Sequence, residues 1–366
     1  MGWKRSVLAV GRGVEARFDL LRFRLKRRMG RLGPIEVLPY RGYGTPRALF
    51  MKGRVLEGKG VTRSSSTDTV GNNLRNMLRR FASDEIPFAR IRARFGGQEL
   101  EAVADAEGFF DLRFEHVAPP DPARAWHPVE VELLWPEEKG TSPSRATGSV
   151  LVPTGARFGV ISDLDDTVLR SGVTSLLKMA WTTFLNNAHT RLPFEGVASF
   201  YHALQRGVGG EFNPIFYVSN GPWNLYDLLE DFLEVHGVPA GPLFLRDWSP
   251  TALRSVREHK LEVIRKLLRT YPELPFVLIG DSGENDPEIY HAAVREHPGR
   301  IRAIYIRDVT TKERGAAVHA IAREVRSLGI EMLLVPDTTA AAEHAAQEGF
   351  ISPEALPGVC RESAGG

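Results

Sequence analysis

Six short apolar runs alternate with helical segments after residue 157, and this alternation limits the possible folds more than any other feature. The runs are almost continuously hydrophobic, as expected when both faces of a parallel sheet are covered by helices. The intervening segments, such as residues 225–237 and 260–271, repeat apolar residues at helical spacing. We therefore predict an α/β domain over residues 158–350, built on a doubly wound parallel sheet. The six runs are FGVIS (158–162), PIFYVS (214–219), PLFLR (242–246), FVLIG (276–280), IRAIYI (301–306) and MLLV (332–335).

The preceding part of the chain has a different pattern, with short β-type runs between turn residues. ARIRARF (89–95) and VEVELLW (129–135) are two of these runs, and GGQ (96–98) and DAEG (105–108) have the composition of hairpin turns. This pattern predicts a small antiparallel β-sandwich domain over residues 34–135.

Three further segments complete the predicted organisation. Residues 136–157 are rich in Gly, Pro, Ser and Thr, which favours a linker between the two domains. Residues 351–366 are interpreted as a C-terminal tail whose last six residues, RESAGG, are disordered. Within the β-rich domain, residues 64–73 are predicted to be a loop and residues 74–81 a short helix.

The N-terminal residues 1–33 are strongly basic, with ten Lys or Arg and two acids among the first 31 residues. Apolar residues recur at helical spacing between the arginines, so we predict a basic amphipathic helix. Such a helix can bind an anionic membrane surface, or it can pack on its own protein and expose its arginines to water. The sequence leaves both possibilities open.

Composition excludes several other classes of protein. The single cysteine, Cys360, rules out a disulfide framework and a cysteine-rich zinc site. No stretch approaches the ~20 apolar residues of a transmembrane helix. The net charge is +2, and we expect no nucleic-acid partner.

Pairs of aspartates follow two of the six apolar runs. Asp163 and Asp165 come after the first run, and Asp281 and Asp286 come after the fourth. Ligands of open α/β sheets bind beyond the carboxyl ends of the strands, where these acids would meet. Because closely spaced carboxylates repel one another, a cation is expected among them, and Mg²⁺ prefers such oxygen ligands.

The same strand ends carry residues suited to phosphoryl transfer. Asp163 can attack phosphorus to form an aspartyl-phosphate, and Asp165 can protonate the leaving oxygen and later activate water. Ser219, the adjacent Asn220 and nearby backbone N–H groups are candidates for holding phosphate oxygens. Lys260, at the start of a helix, supplies a positive charge against the phosphate.

Simpler explanations stay open for three of these residues. Ser219 can cap the helix that follows it, and Asp286, which precedes a proline, can cap another. Lys260 has a rival in Lys266 on the same helix.

The DxDxT sequence at 163–167, Ser219, Lys260 and the GDSGEND sequence at 280–286 together resemble the haloacid dehalogenase superfamily of phosphatases. More narrowly, VISDLDDTV, YVSNGPWNLYDLL and FVLIGDSGENDPEIY are similar to the actin-patch phosphatidate phosphatase family and its bacterial relatives. The resemblance covers about half of the chain. It implies that Asp163 is the nucleophile and Asp165 the acid/base, that Ser219 and Lys260 bind phosphate, and that Mg²⁺ is held by Asp163, Asp165, Asp281 and Asp286.

The resemblance implies a Mg²⁺-dependent phosphatase that acts on phosphatidate and related lipid phosphates. We expect a cytoplasmic protein, peripheral on the inner membrane surface through residues 1–33. Two alternatives remain: a phosphatase of a soluble or protein phosphate, and a non-catalytic adaptor of a membrane or protein partner. The sequence does not identify what the β-sandwich binds.

Overall fold

A computed structural model describes residues 29, 33–58, 85–116, 120–137, 143–164, 196–246, 256–309 and 312–364. The chain divides into two compact units, and the described residues change from the first unit to the second between Val152 and Pro153. The predicted N-terminal helix, except for residues 29 and 33, and the predicted loop and helix at 64–81 lie outside the described residues.

The first unit is built from strands that all belong to one hydrogen-bonded sheet. The sheet has the order β1-β3-β2-β8-β7-β4-β5, and β6 pairs with β3. All its pairs are antiparallel except β2–β8, which is parallel. The strands are β1 (Ile35–Pro39), β2 (Gly42–Thr45), β3 (Ala48–Glu57), β4 (Arg90–Phe95), β5 (Gln98–Val103), β6 (Phe109–Glu115), β7 (Trp126–Trp135) and β8 (Arg145–Leu151).

The predicted antiparallel strands of this unit are present, but they form one continuous sheet and not two separate ones. The long strand β3 links them, because one edge pairs with β6 while the other is shared by β1 and β2. A single apolar cluster joins residues of most of these strands, among them Val55, Ile91 and Val131. The predicted hairpin turn between β4 and β5 is confirmed, with Gly96 and Gly97 at φ 54° and 79°.

The predicted linker over residues 136–157 is wrong for its central part. Arg145–Leu151 forms β8, which pairs with β7 and β2. Val150 and Leu151 are completely buried, so this segment contributes to the core of the first unit. Gly148 is needed there because a side chain would meet Met51 and Pro39, and its presence makes a strand look like a loop in the sequence.

The second unit contains a six-stranded, fully parallel sheet with the order β11-β10-β9-β12-β13-β14. Each predicted apolar run is confirmed as a strand with ends shifted by at most a few residues. The strands are β9 (Gly159–Asp163), β10 (Ile215–Pro222), β11 (Leu243–Arg246), β12 (Phe276–Asp281), β13 (Ile301–Arg307) and β14 (Glu331–Val335). The helices are α1 (Val197–Arg206), α2 (Tyr226–Val235), α3 (Val256–Thr270), α4 (Asp286–Glu296), α5 (Lys312–Ser327), α6 (Thr338–Gln347) and α7 (Leu356–Ala364).

The strand order places β9 between β10 and β12, the second and fourth strands of the unit. Every residue of β9 is buried, and its register sets Asp163 opposite Val218 of β10 and Ser162 opposite Ile279 of β12. The carboxyl ends of these three strands are therefore neighbours. Residues at the ends of β9, β10 and β12 therefore meet at one place, although the ends of β9 and β12 are more than a hundred residues apart in the chain.

The predicted C-terminal tail is also wrong for most of its length. Leu356–Ala364 forms α7, and Val359 on this helix is almost completely buried. Gly196, at φ 81°, lies so close to α7 that a side chain at this position would collide with Ser363. In the part of the chain described by the structure, no helix is long and apolar enough to cross a membrane.

Candidate active site

Three aspartates form a buried cluster at the carboxyl edge of the parallel sheet. Asp163 is the last residue of β9, Asp281 is the last residue of β12, and Asp286 is the first residue of α4. One carboxylate oxygen of each lies within 4.8 Å of the others, and all three side chains are buried. Such a group of oxygen ligands could hold a metal ion.

Lys260 reaches into this cluster from the first turns of α3, and its side chain is only 2% exposed. Its Nζ lies 2.7 Å from Asp163 Oδ1 and 2.9 Å from Asp286 Oδ1. The contact with Asp163 is an ion pair, and Lys260 also donates a hydrogen bond to Asp286. The lysine thus compensates part of the negative charge that the fold removes from water.

Lys266, the rival on the same helix, has a different environment. It is exposed, and its Nζ lies 5.8 Å from the centre of the Phe244 ring. Of the two lysines, the structure brings Lys260 to the aspartates.

Burial raises the pKa of Asp286 well above its ordinary value, and the negative charge of Asp163 raises it further, while Lys260 opposes the shift. Oδ2 of Asp286 accepts a hydrogen bond from the backbone N–H of Asp281 at 3.2 Å. Gly280 allows this approach, because a Cβ at this position would overlap Oδ2 and lie 2.9 Å from the hydroxyl of Tyr290. The negative charge is concentrated at one buried point, where a cation would be stabilised.

Hydrogen bonds hold the loop between Asp281 and Asp286 in place. Oδ1 of Asp281 accepts hydrogen bonds from the N–H groups of Gly283 at 2.6 Å and Glu284 at 3.0 Å. Ser282 donates a hydrogen bond to Asp308 at 3.2 Å and accepts one from the N–H of Val309 at 2.9 Å. These bonds fix the orientation of the Asp281 carboxylate relative to the sheet.

Ser219 and Asn220 are also buried, near the end of β10. Ser219 follows Val218, which pairs with Asp163 and accepts a hydrogen bond from the N–H of Leu164 at 3.0 Å. The hydroxyl of Ser219 accepts a hydrogen bond from the N–H of Gly221 at 2.9 Å. The structure therefore brings Ser219 next to the strand that carries Asp163. Asp165 lies outside the described residues.

Two polar residues of the site had no recognisable sequence signal. Glu284, whose side chain is 32% exposed, accepts a hydrogen bond from Lys260 Nζ at 2.9 Å. His259 precedes Lys260 and lies beside the backbone of Ser219 and Phe244. Burial, reinforced by the charge of Arg246, lowers the pKa of His259 from 6.5 to about 4, so the imidazole is neutral at pH 7.

The fold and the cluster define an α/β protein with a buried carboxylate–lysine centre at the edge of a parallel sheet. Residues 158–308 match the protein family described as phosphatidate phosphatase APP1, catalytic domain, and over that segment the chain is similar to this family. The matched segment contains all three clustered aspartates, Ser219 and Lys260. The resemblance of the sequence to the phosphatidate phosphatase family is thereby confirmed.

Two curated relatives match a longer stretch. Phosphatidate phosphatase APP1 of Saccharomyces cerevisiae is 32% identical over 184 residues, covering 49% of this chain and 30% of the yeast protein. The uncharacterized protein C29B5.04c of Schizosaccharomyces pombe is 29% identical over 248 residues, covering 63% of this chain and 39% of that protein. The matches thus cover well under half of each relative's length.

Among solved structures, a carbohydrate acetylesterase from Xanthomonas citri, XAC1771, aligns with 77% of this chain and 72% of its own. The TM-score is 0.27 and the identity 13%, values too low to indicate a shared fold.

Proposed function

We propose that the second unit is a Mg²⁺-dependent phosphatase of the haloacid dehalogenase type, with phosphatidate or a related lipid phosphate as its substrate. The observation that supports this most strongly is the buried cluster of Asp163, Asp281 and Asp286 around Lys260. It lies in the segment that matches the phosphatidate phosphatase family. The order of the parallel strands, which runs outward from β9 in both directions, is the order expected of a doubly wound sheet.

The cluster fits Mg²⁺ better than a softer metal. Its ligands are carboxylate oxygens only, which suit hard cations. Burial, and then the negative charge of Asp163, raise the pKa of Asp286 against the opposing effect of Lys260, and a bound cation would favour the ionised carboxylate. Asp163, Asp165, Asp281 and Asp286 would hold the ion, with Asp165 contributing its backbone carbonyl. When bound, the cation would neutralise charge on the phosphate so that an anionic nucleophile can approach it.

In the proposed reaction, a carboxylate oxygen of Asp163 attacks the phosphorus atom, and the bond between phosphorus and the ester oxygen breaks. Asp165 gives its proton to the departing oxygen, which leaves as the lipid alcohol. Asp165 then accepts a proton from water, which attacks the aspartyl-phosphate, releases inorganic phosphate and restores Asp163. Lys260, Ser219 and Asn220 would hold the phosphate oxygens during both steps.

The proposed lipid substrate agrees with the basic N-terminal segment. Residues 1–33 would bind anionic lipids at the cytoplasmic surface of the membrane and bring the second unit to its substrate. This part of the proposal predicts that anionic vesicles stimulate the reaction and that removal of residues 1–33 abolishes the stimulation.

The experiment is phosphate release from phosphatidate in mixed micelles, with Mg²⁺ or EDTA, for wild type and Asp163→Asn. We expect release that requires Mg²⁺ and disappears in the variant. Asp337→Asn is the matched control, because Asp337 also follows a parallel strand but caps α6, accepting from Ala340 N at 2.9 Å. Asparagine caps helices about as well, so this variant should keep full activity.

A small aryl phosphate serves as the second substrate. Mg²⁺-dependent release from the aryl phosphate without release from phosphatidate would preserve the mechanism and refute the lipid substrate. Absence of both activities would refute the phosphatase and favour a non-catalytic role.

A further inference from the structure

Arg314, in the first turn of α5, is bound to the helix that begins with Asp286. Its two terminal nitrogens contact both carboxylate oxygens of Glu288, at 2.6 Å and 2.9 Å. Glu288 lies two residues after Asp286 in the first turn of α4. This two-point geometry fixes the guanidinium plane relative to α4.

The same guanidinium also binds the loop that carries Asp281. One terminal nitrogen donates to the backbone carbonyl of Glu284 at 2.6 Å, and Nε donates to the carbonyl of Ser282 at 3.4 Å. Arg314 therefore holds three points of the segment 281–288 at once: two loop carbonyls and one helix side chain. Two of the three clustered carboxylates, Asp281 and Asp286, belong to this segment.

We propose that Arg314 is a positioning residue that holds Asp281 and Asp286 in place for the divalent cation. The inference rests on the metal site of the proposed function. It extends the site beyond the segment that matches the family, because residue 314 follows the end of that segment at residue 308. Arg314 contacts neither the cation nor the substrate; it acts through the backbone that carries the ligands.

Charge and positioning have opposite effects on metal affinity, and this makes the proposal testable. The positive charge of Arg314 interacts with Asp281. By charge alone, it would weaken the binding of a metal cation nearby. Removing it would then tighten metal binding. If Arg314 acts by positioning, its removal lets the loop relax and weakens metal binding.

Arg265 offers a matched control at the other end of α4. It contacts both carboxylate oxygens of Glu296 through Nε and a terminal nitrogen, at 2.6 Å and 2.5 Å, and also pairs with Glu262 at 2.7 Å. Arg265 and Arg314 thus make the same kind of contact with the same helix. Glu296 lies at the last residue of that helix and Glu288 in its first turn, so only Arg314 is beside the aspartates.

The experiment measures binding of Mn²⁺ alone to the full chain, by electron paramagnetic resonance of the free ion, with Mg²⁺ as competitor and no substrate. We expect the Kd of Arg314→Gln to rise about tenfold, the lower range for residues that orient metal ligands. Arg314→Lys keeps the charge but not the two-point contact, and its Kd should also rise. Arg265→Gln should bind as wild type does. Circular dichroism confirms folding, and Arg314→Lys carries the test if Arg314→Gln does not fold.

Equal or tighter Mn²⁺ binding by both Arg314 variants would overturn the inference, as would an equal loss in Arg265→Gln. Failure of wild type to bind Mn²⁺ would overturn it as well. Mn²⁺ binding with the expected ranking but without phosphatase activity would support the inference and refute the proposed function, so the two failures can be told apart.

Discussion

Lys260 Nζ lies 2.7 Å from Asp163 Oδ1, and the two side chains are 2% and 3% exposed. A pair so fully removed from water is stabilised only while both charges are present, because either one alone would be buried without compensation. Asp286, which is completely buried, shares the same lysine. The stability of the second unit is therefore tied to the residue that we propose binds the phosphate.

Replacing Lys260 with methionine should destabilise the metal-free protein by about 3–5 kcal/mol, because two buried carboxylates lose their cation. Mg²⁺ should recover part of this loss by binding to them. Urea unfolding in EDTA and in Mg²⁺ measures both effects. Lys266→Met, an exposed change on the same helix, should alter the free energy of unfolding by less than about 0.5 kcal/mol. Equal stability of the two variants would contradict the charge compensation.

Gly280→Ala should weaken metal binding and destabilise the fold by about 1–3 kcal/mol, because its Cβ displaces the Asp286 carboxylate. The control is Gly358→Ala in α7, where a Cβ meets nothing within 4 Å. Alanine there should stabilise the helix by up to about 1 kcal/mol. Thermal unfolding and Mn²⁺ titration give the two readouts. Unchanged metal affinity in Gly280→Ala would show that the carboxylate tolerates displacement.

Glu284→Gln should increase the affinity for inorganic phosphate as a product inhibitor. The partly exposed Glu284 carboxylate forms an ion pair with Lys260 Nζ at 2.9 Å, and an incoming phosphate must compete with this carboxylate for the lysine. A neutral amide competes less, so we expect the inhibition constant to fall by several-fold, equivalent to about 1 kcal/mol. Glu262→Gln is the control, since Glu262 is similarly exposed on α3 and pairs with Arg265. An unchanged inhibition constant in Glu284→Gln would argue against competition at Lys260.

His259 should make stability depend on pH. Its folded pKa of about 4 lies below its ordinary value of 6.5. As the pH falls through this window, the unfolded chain binds a proton that the folded chain does not, so the free energy of unfolding decreases. The loss approaches about 3 kcal/mol near pH 4, while above about pH 7 the residue contributes no slope. Urea unfolding of wild type and His259→Gln across this range should show a difference that narrows as the pH falls. A constant difference would show that burial does not shift this histidine.

The sequence predicts the parallel sheet and the place of the site well, for a physical reason. Strands buried on both faces must be continuously apolar, so a polar residue such as Asp163 or Asp281 marks the strand end directly. Because all strand ends of a parallel sheet lie at one edge, the proximity of these residues follows from the strand assignment. Lys260 could be named as a candidate on the same grounds. The sequence could not show that Lys260, and not Lys266, reaches the aspartates.

Other parts of the site depend on contacts that leave no local pattern. Arg314 acts through the backbone carbonyls of Ser282 and Glu284, and a carbonyl is present at every residue. In the sequence, nothing distinguishes Glu284 from other acidic residues in polar loops. The strand at Arg145–Leu151 was missed because long-range pairing with β7 and β2 overrides a composition typical of a linker.

The central position of β9 has a consequence for how the protein is made. Asp163 is synthesised before β12, which pairs with β9, ends at Asp281 and begins more than a hundred residues later in the chain. Pairing over such a separation is slow, because the intervening chain must first be closed into a loop. In a nascent chain, one edge of β9 therefore lacks its hydrogen-bonding strand until β12 has been synthesised. Until then the three aspartates cannot meet, and a chain interrupted before residue 276 would lack the acidic centre altogether.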